Sequence, residues 1–209
     1  MCTRFYIQDD SIDLAEIMAA AKASRLSEKL RQQGVTLKTS GEIFPSDTVP
    51  VIAPDRKGER AVFPMHWGFR IPGRSLLVNA RTETASALPS FRDSWQKQRC
   101  IVPASWYYEW EHFTDSRGKK TAGDKYMIRP DDASVSWLAG LYRIEDGLPV
   151  FTVLTKEPCE ALRGIHDRMP LLLPGRLLDR WIDPSSKPEE LLPYAIEALT
   201  IQNTSRDPA

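Results

Sequence analysis

A cysteine stands directly after the first methionine, in Met1-Cys2-Thr3-Arg4-Phe5. Its small side chain favours loss of Met1, which leaves a free α-amine on the carbon next to the one that carries the thiol. An α-amine titrates near about 7.7–8, far below the ~10.4 of a lysine, so a sizeable fraction is an uncharged nucleophile at neutral pH. The thiol, with an ordinary pKa of about 8.5, can follow it onto the same carbon. Such a 1,2-aminothiol condenses with an aldehyde, first as an imine and then as a five-membered thiazolidine. Taken alone, Cys2 reads equally as a small hydrophobe in a first strand.

Three further stretches put polar residues where the pattern calls for apolar ones. Asn79-Ala80-Arg81 follows the short apolar run Leu76-Leu77-Val78 and presents an amide and a guanidinium; it reads either as a strand-ending turn or as a pair aimed at a ligand. Glu109 lies among Trp106, Tyr107, Tyr108 and Trp110. Strand alternation places Tyr107, Glu109 and Glu111 on one face and the other three aromatics on the opposite one. A carboxyl hemmed in by aromatics is partly desolvated, which raises its pKa toward acid–base use; a solvated outer face is the competing reading. His166, in His166-Asp167-Arg168, has a neighbouring acid able to fix its tautomer and a neighbouring base able to hold phosphate.

Elements that must position these residues follow from periodicity. A strand over Thr3 to Gln8 leads into a helix capped by Asp10 or Ser11, with Ile12, Leu14, Ile17, Met18, Ala21, Leu26 and Leu30 at helical spacing and Gly34 as its stop. Val35 to Pro54 reads as a loop feeding a strand, and Arg56 to Glu59 as a hairpin turn before the strand Ala61 to Phe69. A helix is expected over Ala85 to Gln98. Strands follow at Cys100–Val102, Ser105–His112, Tyr126–Ile128, Val135–Arg143 and Pro149–Leu154, the last two joined by Glu145-Asp146-Gly147. Thr114 to Asp124 reads as a polar loop. Pro158 to Arg163 is a helix, Leu171–Leu173 a strand, Leu177 to Trp181 and Pro188 to Leu192 short helices, Tyr194–Ile201 a last strand, and the chain from about Asn203 a loose tail. Many strands, few helices and no regular β–α alternation predict an α+β fold.

The totals agree with one domain. There are 209 residues, 42% hydrophobic and 27% charged, and 28 Lys+Arg balance 28 Asp+Glu, so cations for a polyanion would have to be gathered locally. Cys2, Cys100 and Cys159 form no C-x-x-C, and His66, His112 and His166 show no metal-ligand spacing, so neither a metal nor another cofactor is expected. With no long apolar run and no signal-peptide core, a cytoplasmic protein is expected.

Met1-Cys2-Thr3-Arg4-Phe5, Trp67-Gly68, Asn79-Ala80-Arg81-Thr82-Glu83, Cys100 to Ser105 running into Tyr108-Glu109-Trp110, and His166-Asp167-Arg168-Met169-Pro170 together resemble the SRAP (SOS-response-associated peptidase) family, in order and over nearly the whole chain. The resemblance implies a single compact α+β domain with a mixed, largely antiparallel, curved and barrel-like core and peripheral helices. It implies a monomer that binds single-stranded DNA in the nucleoid and links itself, through Cys2, to the aldehyde of abasic sites. In that pattern Asn79 orients the opened sugar, Glu109 and His166 move protons, Arg4, Arg81 and Arg168 meet phosphates, and Trp67 and Trp110 pack at the DNA surface. It also implies a thiol autopeptidase that removes its own N-terminal residue, together with lyase-like activity. Thr3 departs from the glycine usual there, and Phe69 from a second tryptophan. An N-terminal-nucleophile amidotransferase using Cys2, or a non-catalytic single-strand-binding module, are the alternatives from other classes.

Overall fold

The computed structural model describes residues 2–8, 10–114, 118 and 120–205. In chain order the elements are β1 (Phe5–Ile7), α1 (Ile12–Ala23), α2 (Arg25–Gln32), β2 (Gly41–Ile43), β3 (Thr48–Pro54), β4 (Arg60–Trp67), β5 (Asn79–Arg81), α3 (Thr82–Ala85), α4 (Arg92–Lys97), β6 (Arg99–Ala104), β7 (Trp106–Thr114), β8 (Lys120–Pro130), β9 (Ser136–Glu145), β10 (Leu148–Lys156), β11 (Met169–Pro170), α5 (Leu178–Ile182) and β12 (Leu199–Asn203), with short 3-10 turns between the last strands.

Two sheets share one core. Strands β3, β4, β10, β9 and β6 pair in a closed ring, because β9 bonds to both β6 and β10; only β4 and β10 within that ring run parallel. Closure leaves these five strands without a free edge. The second sheet, in the order β12-β8-β7-β1-β2, is antiparallel throughout. Phe5, Ile7, Ile43, Tyr107 and Ile128 turn inward from it and meet Val49, Val51, Trp67, Val102, Leu138, Phe151 and Val153 of the ring in one apolar cluster. Burying such side chains is worth roughly 1.5–3 kcal/mol each, which makes this shared core the main force joining the sheets. The fold is therefore the expected α+β domain with a barrel-like core.

Several expected elements are cut differently. The first long helix is two helices, because Ser24 leaves helical geometry (ψ 145°) and its Oγ accepts from Ser27 N at 3.1 Å, capping α2. Of the helix expected from Ala85 to Gln98 only Ala85, the last residue of α3, and Arg92–Lys97, which form α4, are helical; Pro89 lies in the break and disfavours helical geometry in the residue before it. Phe91 and Trp95 are nonetheless both buried. Ordered strand β8 begins at Lys120, inside the expected Thr114–Asp124 loop; residues 115–117 and 119 of that loop lie outside the described residues. The short strand β5 is Asn79–Arg81, just after the apolar run Leu76-Leu77-Val78, and the strand expected at Leu171–Leu173 is Met169–Pro170. The last strand starts at Leu199 and contains Asn203, whose amide donates to Asp124 at 2.7 Å, so Asn203 belongs to the sheet; residues 206–209 of the expected tail lie outside the described ones. The Asp146-Gly147 turn is as read, with both residues left-handed (φ 51° and 77°), the backbone a tight two-residue hairpin requires.

Candidate functional site

The site lies where the approach to β1 meets two short strands on the edge of β10. β1 pairs with β7 at Phe5↔Tyr107, which sets Cys2 beside the stretch carrying Glu109. β5 runs parallel to β10 with Asn79 opposite Val153, and β11 pairs with β10 at Lys156↔Met169, returning the chain just after His166. Residues 2, 79, 109 and 166 thus reach one place from four separate segments.

Cys2 is fully buried. Its backbone carbonyl accepts from Asn79 Nδ2 at 2.8 Å, and its thiol is a weak donor to Arg4 O at 3.8 Å. Burial pushes the thiol well above its ordinary pKa, and the nearby Glu109 carboxylate adds to the effect. The thiol therefore stays protonated until something accepts its proton. Asn79 spends its amide N–H on Cys2, while its Oδ1 is buried with no hydrogen-bond partner in the protein. A buried acceptor left unpaired costs free energy, so this oxygen suits a ligand hydroxyl.

Glu109 is only 3% exposed, which excludes the solvated outer face. Loss of water pushes its carboxyl up to about 7, so near neutrality it exists as both acid and base. His166 is buried beside it, with Nε2 3.7 Å from Glu109 Oε2. The backbone N–H of Arg168 donates to His166 Nδ1 at 3.0 Å, so Nδ1 is the acceptor and the neutral ring carries its proton on Nε2, facing Glu109. The mostly exposed Asp167 carboxylate lies 3.0 Å from the same Nδ1 and becomes an ion-pair partner only when the ring is charged. Desolvation depresses the imidazole to about 4, which keeps it neutral at physiological pH. A cavity of about 190 Å³ lined by His112, Arg163, His166 and Asp167 opens this end of the site.

The expected binding residues divide. Arg4 and Trp110 lie together on the outer face of the second sheet, the guanidinium 5.5 Å from the indole ring centre. Arg81 is exposed at the end of β5. Arg168, by contrast, is 8% exposed and makes a bidentate pair with Glu83 (2.9 and 2.8 Å) and a bond to Thr155 O (2.7 Å); its charge holds β10 and α3 together. Trp67 has no exposed face: it packs against Phe5 (5.1 Å) and Phe151 (5.9 Å), and its indole N–H donates to Val78 O at 2.9 Å, one residue before Asn79. It underpins the site from below. Sequence reasoning passed over Glu42 and Lys125, which meet at 3.0 Å beside Arg4 and Trp110. Charges on strands give no periodic signal, and only the sheet order brings these two together.

Among the described residues no group of three or more His, Cys, Asp or Glu is arranged to hold a metal, and no helix is long and apolar enough to cross a membrane.

The family model described as SOS response associated peptidase (SRAP) matches residues 1–207. The chain is 30% identical to the abasic site processing protein YoaM of Bacillus subtilis, over 98% of this chain and 91% of that protein. It is also 30% identical to the abasic site processing protein YedK of Escherichia coli, over 57% of this chain and 54% of the other. Two solved structures share the fold at a TM-score of 0.71: a protein from Bacteroides thetaiotaomicron (23% identity; 97% of this chain and 91% of that one) and a phage-related protein from Bordetella bronchiseptica (24%; 99% and 95%).

Proposed function

The chain belongs to the SOS response associated peptidase family, and from that premise we propose that it processes abasic sites in single-stranded DNA by capturing the ring-opened sugar on Cys2. The reading needs Met1 to be removed, which gives Cys2 its α-amine. The amine adds to the C1′ aldehyde and forms a carbinolamine. Glu109, as the acid, protonates the carbinolamine hydroxyl, and water leaves as the C=N bond forms. The Cys2 sulfur then adds to C1′, and the thiol proton passes to the Glu109 carboxylate that has just given one up. One aldehyde and one aminothiol give one thiazolidine and one water, and Glu109 ends as it began.

The observation that carries this reading is the buried carboxyl of Glu109, pushed up to about 7 beside a desolvated thiol. An acid in that range can give and take the same proton at neutral pH. The thiol's raised pKa favours an order in which the amine attacks first and the sulfur closes the ring. His166, neutral and with Nε2 toward Glu109, steadies the carboxylate while it is charged. Asn79 fixes the Cys2 backbone through its amide and offers Oδ1 to a sugar hydroxyl. A thiol so firmly protonated suits aldehyde capture better than attack on peptides as a thiolate, so we limit peptide cleavage to the loss of Met1. Abasic sites named for YoaM and YedK are the same chemical target.

The test is a denaturing gel of the protein with a single-stranded oligonucleotide bearing one abasic site. A heat-stable shifted band that needs both the abasic site and Cys2 is expected. No band, or an equal band from Cys2→Ala, removes the proposal.

A further inference from the structure

On the outer face of the second sheet, reached by Arg4 two residues along the chain from Cys2, one carboxylate is held between two cations. Glu42 Oε1 lies 3.2 Å from Arg4 Nη1 and 3.0 Å from Lys125 Nζ. Each cation also covers aromatic rings. Arg4 sits 4.0 Å from the Phe44 ring centre and 5.5 Å from that of Trp110; Lys125 sits 3.7 Å from that of Tyr108 and 5.4 Å from that of Trp110. The register explains the cluster. β2 and β7 flank β1, Lys125 of β8 is opposite Trp110 of β7, and Tyr107 and Glu109 point inward while Tyr108 and Trp110 point out. Arg4 is two residues from Cys2, so the cluster begins at the edge of the site.

An anion accepting from an arginine and a lysine while flat π-faces stand on both sides is the arrangement a nucleotide asks for: phosphate to the cations, base to a ring. Burial opposes the charge on Glu42, but hydrogen bonds from Lys125 and Arg4 prevail and keep its carboxyl below the ordinary range, so it is an anion at neutral pH. We propose that Glu42 stands in the place of a DNA backbone phosphate, and that Arg4 and Lys125 with the Tyr108 and Trp110 rings form a nucleotide subsite beside the lesion. This rests on the single-stranded DNA reading above. A strand that enters the subsite displaces Glu42 and meets a local charge of one positive unit instead of two. Undamaged strands are thus held weakly, and durable attachment is left to the covalent step. Lys125 is a binding residue, and Glu42 sets how strongly any strand is held before capture.

The experiment measures anisotropy of a labelled, undamaged oligothymidine as a function of salt for the wild type, Glu42→Gln, Lys125→Met and the double variant, each checked for an unchanged melting transition. Glu42→Gln is expected to bind on the order of fivefold tighter at low salt, from release of two partly exposed ion pairs and of one repulsive charge. Its slope of log affinity against log salt should steepen by about 0.7, the value of one added single-strand phosphate contact, and Lys125→Met should flatten by about 0.7. The double variant should return near the wild-type slope. A wild type that binds the oligothymidine while Glu42→Gln binds no tighter and Lys125→Met keeps its slope overturns the inference alone. A wild type that neither binds it nor crosslinks to an abasic strand overturns the DNA reading and this inference together. If either variant melts lower than the wild type, Glu42→Asp and Lys125→Arg replace it: the shorter acid should reproduce part of the tightening, and the arginine should retain the wild-type slope.

Discussion

His166 Nε2 faces Glu109 Oε2 across 3.7 Å, with both side chains buried, and the two groups are shifted in opposite directions: the carboxyl up to about 7, the imidazole down to about 4. Both groups are therefore mostly uncharged just below neutrality, and Glu109, poised near its own pKa, can give a proton and take it back.

The rate of capture should peak between about pH 7 and 8. A neutral α-amine grows in toward its ordinary pKa of about 7.7–8. Protonated Glu109 is lost above about 7. In Glu109→Gln the alkaline limb that reports this loss should vanish, and single-turnover crosslinking should slow on the order of a hundredfold. Rates measured across pH check both; a wild-type profile in the variant removes Glu109 from proton transfer.

Glu109→Gln should also be more stable than the wild type at pH 8. The folded pKa is raised, so the native state binds more protons than the unfolded chain between about 4.3 and about 7. Stability then falls as pH rises through that window and stays lower above it, by something on the order of 3 kcal/mol for an isolated group. Denaturant titrations at pH 5 and pH 8 should show the gap between variant and wild type opening at the higher pH. Slower chemistry together with higher stability is what a residue kept for function produces.

Asn79→Ala should slow capture about tenfold or more, as expected for one lost hydrogen bond to a buried carbonyl in a site that must hold its nucleophile still. Binding of undamaged single strands should change little. Crosslinking rates set against anisotropy distinguish this from a general loss of structure.

Arg81→Ala and Arg168→Ala should part ways. Exposed Arg81 should flatten the salt dependence of strand binding by about 0.7 if it meets one phosphate. Arg168→Ala should chiefly unfold the protein more easily, by about 1–3 kcal/mol, because the buried Thr155 carbonyl loses its charged donor and β10 loses its tie to Glu83 of α3. Salt titrations and melting curves on both variants check the division.

Much of this was readable from residue order alone. Alternation along Trp106 to Trp110 separated the inward Tyr107 and Glu109 from the outward Tyr108 and Trp110, since a strand's side chains must alternate whatever the fold. The local choice between a buried and a solvated Glu109 was not readable, because it depends on which sheet covers that face. The meeting of Asn79 with Cys2, 77 residues apart, follows from β5 joining β10, a long-range pairing with no local signal. Ser24 shows the same limit on a smaller scale: the helical spacing of apolar residues runs on past it, while its hydroxyl caps a new helix. Trp67 and Arg168 had the residue types of a DNA surface, and only packing reveals that one lies in the core and the other is spent on Glu83.

The central claim is that an amine and a sulfur on adjacent carbons of residue 2 close a ring on one aldehyde carbon, and intact-mass spectrometry tests it directly. The purified protein should weigh what the chain lacking Met1 weighs. After incubation with a single-stranded oligonucleotide carrying one abasic site, the product should weigh the sum of the two less one water, and borohydride should leave that mass unchanged because no C=N bond remains. A starting protein that keeps Met1 yet still crosslinks, or a product that gains two hydrogens on reduction, would contradict the account.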